Sequence, residues 1–150
     1  MRALIQRVLS ASVAIDGEIR ALIGHGLLVF IGIEEADDET EIEWLSLKIS
    51  RMRIFSDSEG KMNLSLLDTC GGMLVVSQFT LHASTKKGNR PSFLRAAAAD
   101  KSEPLYSAFC AKMEDILGKT IERGVFGADM KVSLINDGPV TIIMDSHNRE

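Results

Sequence analysis

Apolar and polar residues follow different rhythms along this chain, and each change of rhythm marks an element. Val13 and Ile15 alternate with Ser12, Ala14 and Asp16, the period of a strand with one buried face. Asp16-Gly17 is a hairpin signal, which makes 18–23 the returning strand. Residues 26–33 (GLLVFIGI) are apolar almost without a break, as in a strand covered on both faces. Ile42, Leu45, Ile49 and Met52 recur at helical spacing and predict a helix over 38–52, with Trp44 packed beside the buried stripe. The acidic run 34–43 before it reads as a solvated loop and a helix start, where acids favour the positive end of the dipole. A short strand at 53–55, a turn at 56–60 and a strong strand at 73–78 follow. A second helix is predicted from near Ser102, with Pro104 in its first turn, Leu105, Phe109, Met113, Ile116 and Leu117 inward, and Gly118 as its stop. Strands are expected at 120–126, 131–135 and 140–144, the last two joined by a turn at Asp137-Gly138. The order predicts one α/β domain over residues 1–150, with mixed β-sheets packed around two helices.

Composition narrows the function. With 150 residues, 45% of them apolar and 25% charged, the chain can bury a real core and is not a disordered tail. A net charge of -4 argues against binding nucleic acid by bulk charge and leaves room only for a local basic patch. Two cysteines exclude a disulfide framework and a four-cysteine zinc site. Cys110, beside Phe109, reads as packing, and Cys70 as a loop residue. The three histidines lie far apart, so no metal is expected. Gln6 and Arg7 break the first apolar run, which leaves no signal-peptide core, and no segment approaches the ~18 apolar residues of a membrane span. A cytoplasmic protein with no membrane partner is expected.

Three segments carry candidate chemistry. Ser77, Gln78 and Thr80 interrupt an apolar strand at its end, flanking Phe79, and strand ends hold active groups on a rigid base. A hydroxyl nucleophile there needs a base; His82 shares a face with Thr80 if the strand continues. No Gly-x-Ser-x-Gly elbow is present, and the backbone N–H groups of Phe79 and Thr80 are the alternative means of stabilising a tetrahedral intermediate. The same residues also read as an ordinary strand end. Lys86, Lys87, Arg90 and Arg95 lie in a Gly/Asn/Pro loop with Phe93 and no acid between them, either a solvated loop or a contact for a few phosphates. Pro139 follows Asp137-Gly138 directly, which marks either a stiff turn or one whose carbonyls must point in a fixed direction.

Together, Ser77-Gln78-Phe79-Thr80 and Gly138-Pro139-Val140-Thr141 resemble the two signature motifs of the D-aminoacyl-tRNA deacylases. The likeness extends to Met1-Arg2-Ala3, Gln6-Arg7-Val8, 61–65 (KMNLS), 88–93 (GNRPSF) and 124–132 (GVFGADMKV). The resemblance implies a cytosolic homodimer without cofactor or metal. It would hydrolyse the ester between a D-amino acid and the terminal adenosine of tRNA, and also glycyl-tRNA mischarged on tRNA(Ala). It further implies a cis Gly138-Pro139 peptide that enters the partner subunit's site, facing Ser77, Gln78, Phe79 and Thr80 there. Arg7, Val140 and Thr141 would support that turn, and the Lys86, Lys87, Arg90 and Arg95 loop would meet the tRNA acceptor end, with no DNA or membrane partner.

Such a site suits the physical problem. A ~10⁴-fold preference over L-aminoacyl esters needs about 5.5 kcal/mol of barrier difference. One methylene in a soft pocket supplies only ~1–3 kcal/mol, whereas a rigid backbone wall clashes with a Cβ of the wrong hand. Glycine has no side chain to exclude, so glycyl-tRNA is an expected substrate. Thr80 is either a nucleophile or a positioning residue beside a water helped by the ribose hydroxyl. The rival readings are a non-catalytic tRNA-binding dimer and an editing enzyme for a mischarged L-amino acid such as alanine.

Overall fold

The computed structural model describes residues 1–149, and β1 (Arg2–Ile15) organises it. Asp16 (φ 53°) and Gly17 (φ 81°) turn the chain in the left-handed region that a two-residue hairpin needs. β2 (Glu18–Ile23) then returns antiparallel along 11–15 of β1, and β3 (Gly26–Gly32) along 2–8. The small hairpin β4 (Phe55–Ser56) and β5 (Met62–Leu64) lies apart from the main sheet. β6 (Gly72–Ser77) runs parallel to β3, and β7 (Glu122–Arg123) parallel to β6. β8 (Lys131–Asp145) pairs antiparallel with the other edge of β1, completing a six-stranded mixed sheet.

Three helices accompany the sheet: α1 (Glu39–Arg51), α2 (Leu66–Thr69) and α3 (Ala99–Leu117). Asp38 caps α1 reciprocally with Glu41, and Gly118 closes α3 at φ 64°. Leu45 and Ile49 of α1 and Phe109 and Met113 of α3 pack on Ile5, Leu27, Val29, Met73 and Val75. The opposite face buries Val8, Val13, Leu28, Leu74 and Val76. β3 and β6 are therefore apolar on both faces, and they meet closely: a Cβ on Gly26 would lie 1.9 Å from the Gly72 carbonyl oxygen. Cys110 is buried in the helix-side core, and burial pushes its thiol up to about 11. Among the described residues no helix is long and apolar enough to cross a membrane.

Several expectations change. The turn at Asp137-Gly138 is not a hairpin, because both halves of β8 pair with β1. Val8 faces Asn136 and Gln6 faces Thr141, so residues 137–140 bulge out opposite Arg7 alone. Pro139 is tolerated there since the bulge needs no ladder donor. The expected strand at 120–126 shrinks to β7, because Ala128 N–H closes a turn on Val125 O and Gly127 stands at φ 75°. α3 begins three residues before Ser102: the Ala98 carbonyl accepts from Lys101 and Ser102 N–H, leaving Pro104 beyond the first turn. α2 is a third helix, begun by a capping box between Ser65 and Asp68. The acidic run is not all solvated. Asp37 is fully buried against the Met1 amine and His147 Nε2, and Glu34 is held by Arg95 at 3.0 Å.

Candidate active site

β6 ends at Ser77, and the Gln78 N–H, donating to the Ile31 carbonyl at 2.7 Å, anchors the chain to β3 as it leaves the sheet. Residues Phe79–His82 form a 3-10 turn rather than a continuing strand. Its ladder starts with Leu81 N–H to Gln78 O, so the Phe79 and Thr80 N–H groups take no part in it. The turn also separates Thr80 from His82, so the two do not share a face. His82 is 1% exposed, and among the described residues neither ring nitrogen has a hydrogen-bond partner. Burial lowers its pKa, partly offset by the nearby Gly32 backbone and Glu34.

A cavity of about 470 Å³ opens where β6 ends. Ser77, Gln78 and Phe79 form one wall; Phe126, Gly127 and Met130 form another. Among the described residues no charged or histidine side chain lines it. Its size lies within the ~300–1,000 Å³ range of small-molecule sites, and its apolar walls with few polar groups follow the usual pattern. Phe79 is 57% exposed at the mouth and meets Phe93 edge-on, with ring centroids 5.1 Å apart. Thr80 does not line the cavity; its Oγ1 accepts a 2.5 Å hydrogen bond from Gln78 Nε2. Among the described residues no carboxylate or imidazole is bonded to Thr80, so none of them activates it as a nucleophile. The far wall, 126–130, has no periodicity and was visible in the sequence only as a stretch of family likeness.

Gly138 and Pro139 lie elsewhere. Their peptide is cis, both residues are exposed, and they crown the bulge of β8. From that bulge to Ser77 the path crosses β1 and β3 and shifts four residues along β3. At strand spacings of ~4.8 Å and ~3.3 Å per residue the separation is roughly 20 Å, beyond any contact within one chain. Arg7, 8% exposed, holds the bulge from below. Its Nη1 donates to Ile54 O at 2.5 Å and its Nε lies 2.9 Å from Asp137 Oδ2. Asn136 Nδ2 bridges Arg7 O and Val140 O at 2.9 and 3.0 Å. Val140 packs on the core, and Thr141 Oγ1 accepts from Gln6 at 3.2 Å.

The basic loop stands next to the mouth of the cavity. Paired Ser84 and Ser92 backbones close it, and Lys86, Lys87 and Arg90 are exposed. Arg95 differs, being tied to Glu34. Among the described residues the one cluster with metal-ligand spacing is Glu34, Asp37 and His147, with ligand atoms within 4.8 Å. All three are engaged in the Met1 and Arg95 ion-pair network, and none of them lines the cavity beside the 77–80 segment.

Residues 4–145 match the family model described as D-Tyr-tRNA(Tyr) deacylase. A protein of Parabacteroides distasonis named D-aminoacyl-tRNA deacylase is 57% identical, with both chains covered over their full length. A solved structure titled c-Myc DNA Unwinding Element Binding Protein superposes at a TM-score of 0.91 with 39% identity, covering 97% of this chain and 98% of that one. Another, titled as a structural analysis of a probable eukaryotic D-amino acid tRNA deacylase, superposes at 0.81 with 19% identity over 95% and 97% of the two chains, a likeness of fold.

Proposed function

Because the chain belongs to the D-Tyr-tRNA(Tyr) deacylase family and is thereby a hydrolase of aminoacyl-tRNA ester bonds, we propose that it removes D-amino acids from tRNA, releasing free amino acid and tRNA. The whole chain, 1–150, serves as one deacylase domain in the cytoplasm, and the chemistry calls for no cofactor.

The observation that carries this reading is the uncharged cavity walled by Ser77, Gln78 and Phe79 at the end of β6. The terminal adenosine enters between the Phe79 and Phe126 walls, and its ester carbonyl meets the Phe79 and Thr80 N–H groups, which stabilise the oxyanion. Gln78 holds Thr80 by its hydroxyl, which suits a positioning role. Water is the nucleophile, with the ribose 2′-hydroxyl assisting.

Handedness is read by Gly138-Pro139 of the partner subunit in a homodimer. The roughly 20 Å between this turn and the cavity of its own chain supports a composite site. The turn excludes an L side chain by backbone contact alone. Glycyl-tRNA, including tRNA(Ala) mischarged with glycine, is then also cleaved. Lys86, Lys87 and Arg90 meet acceptor-end phosphates, with Arg95 anchoring the loop through Glu34.

Parallel deacylation of D-tyrosyl-, L-tyrosyl- and glycyl-tRNA tests the reading. Cleavage of the D and glycyl esters at least ~10³-fold faster than the L ester is expected, equivalent to about 4 kcal/mol. Equal rates on D and L, or tRNA binding without cleavage, refute it.

A further inference from the structure

The Phe79–His82 turn is too short to hold its own direction. It closes two internal bonds, Leu81 N–H to Gln78 O and Ala83 N–H to Thr80 O. A single 3-10 turn is not stable by itself, so the surface under it decides where the Phe79 and Thr80 N–H groups point. The strand register shows what that surface is. Arg2, which opens β1, stands level with Gly32, which ends β3, and with Asp145, which ends β8. Residues directly opposite in antiparallel strands share a face. The three positions therefore form one row across the end of the sheet, and the turn rests on that row.

Gly32 supplies the space. A Cβ there would lie 2.9 Å from Leu81 Cβ, 3.0 Å from Gln78 O and 3.1 Å from His82 Cδ2. Arg2 supplies the grip. Its Nη1 donates to the Leu81 carbonyl at 2.9 Å, an acceptor at the end of the turn that the turn's own two bonds leave unused. Its Nε donates to Asp145 Oδ2 at 2.7 Å, and Asp145 Oδ1 accepts the His147 and Asn148 N–H groups at 3.0 and 3.3 Å. The Arg2 and Asp145 side chains are 27% and 17% exposed, so these charge-assisted bonds lie largely out of water. Asp145 balances the guanidinium charge, and what the strap adds to the turn is direction.

We propose that Arg2, anchored by Asp145, is a positioning residue for ester hydrolysis. Through the Leu81 carbonyl it holds the 79–82 turn so that the Phe79 and Thr80 N–H groups converge on the oxyanion. The inference rests on the deacylase reading above, in which that turn meets the ester carbonyl. Arg2 does not line the cavity. Its removal is therefore felt in the transition state, where the oxyanion develops, and not in substrate binding.

The test compares the full-length protein with Arg2→Met, which keeps an apolar stem and removes the guanidinium. Arg20→Met is the control, removing an exposed arginine that pairs with Glu18 on β2. Hydrolysis of D-tyrosyl-tRNA and of the D-tyrosyl ester of adenosine is measured well below each protein's Tm, alongside amide hydrogen exchange. For Arg2→Met, kcat should fall ~10- to 100-fold on both substrates with KM within ~2-fold. The Leu81 and Ala83 amides should exchange at least ~10-fold faster, while Leu28 and Val29 of β3 keep their protection. Arg20→Met should match wild type throughout. A kcat within ~2-fold of wild type for Arg2→Met overturns the proposal, as does a loss confined to KM. So does unchanged exchange at Leu81 and Ala83, or an equal loss in Arg20→Met. Failure of the wild-type protein to cleave either ester would instead overturn the deacylase reading, and the exchange rates would still report whether Arg2 holds the turn.

Discussion

Arg7 is the residue whose removal should be felt most widely. Arg7→Ala deletes a guanidinium that donates to Ile54 O at 2.5 Å and to Asp137 through Nε, 2.9 Å from its carboxylate. Hydrogen bonds to a charged group are each worth roughly 1.5–3 kcal/mol net, which gives an upper limit of about 6 kcal/mol for the two. The Asp137 side chain is 31% exposed and regains water when its partner leaves, so its share falls steeply. The Ile54 carbonyl is left unmet in a residue 7% exposed, a loss of about 1–3 kcal/mol. About 2–4 kcal/mol of destabilisation is expected, or roughly 5–15 °C in Tm for a domain of this size. Calorimetry reads this directly. Arg7→Lys keeps the charge but lacks the fork, so it reaches one partner and recovers less than half. A Tm within 2 °C of wild type for Arg7→Ala refutes the reasoning. In the same variant the bulge loses its support, and cleavage of L-tyrosyl-tRNA should rise relative to D-tyrosyl-tRNA. An unchanged ratio would detach Arg7 from chiral selection.

Thr80→Ala should keep single-turnover deacylation within ~10-fold of wild type, since Thr80 lacks a base; a loss of ~10⁴-fold would restore it as the nucleophile. Replacing the terminal ribose 2′-hydroxyl by hydrogen should slow the reaction at least ~10²-fold, and an equal rate would eliminate ribose assistance. His82 has its pKa lowered by burial. Between that value and the unfolded one near 6.5 the unfolded chain binds more protons, so stability should drop as pH falls through this window, by at most about 1.4 kcal/mol per unit. Urea titrations of His82→Phe should lack this slope, and parallel curves for the two proteins would count against it. Gly26→Ala drives a Cβ to 1.9 Å from Gly72 O and must separate β3 from β6; a cost above ~3 kcal/mol and a Tm at least 6 °C lower are expected, whereas a circular-dichroism melt within 2 °C would disprove the close approach.

Local signals in the sequence are strong where an element depends on its own residues. The Asp16-Gly17 turn, the strand Glu18–Ile23 and the helix Glu39–Arg51 are read correctly because turn chemistry and the apolar spacing of Ile42, Leu45 and Ile49 act within a few positions. What escapes depends on a neighbour. The two apolar runs of β8 look like a hairpin until β1 is known to pair with both. The start of α3 is hidden because Ala98 offers no side-chain cap. Glu34 and Asp37 look solvated because their partners, Arg95, Met1 and His147, are remote in sequence. Only the near wall of the cavity, 77–79, was legible as chemistry; Phe126, Gly127 and Met130 reach it through a turn.

β8 has a further consequence for how the protein behaves while crowded or newly made. It pairs with β1 on one side only, and its outer margin is a long row of backbone groups beside Leu134, Ile135 and Ile143, which are 36%, 57% and 72% exposed. An uninterrupted margin of that kind templates the addition of strand after strand. The bulge at 137–140 cuts it into two short lengths, and Pro139 offers no donor at the break. A stray strand can therefore gain only a few hydrogen bonds before it meets a projecting turn. The feature proposed to judge the handedness of a substrate would thus also keep the protein from polymerising through its own edge.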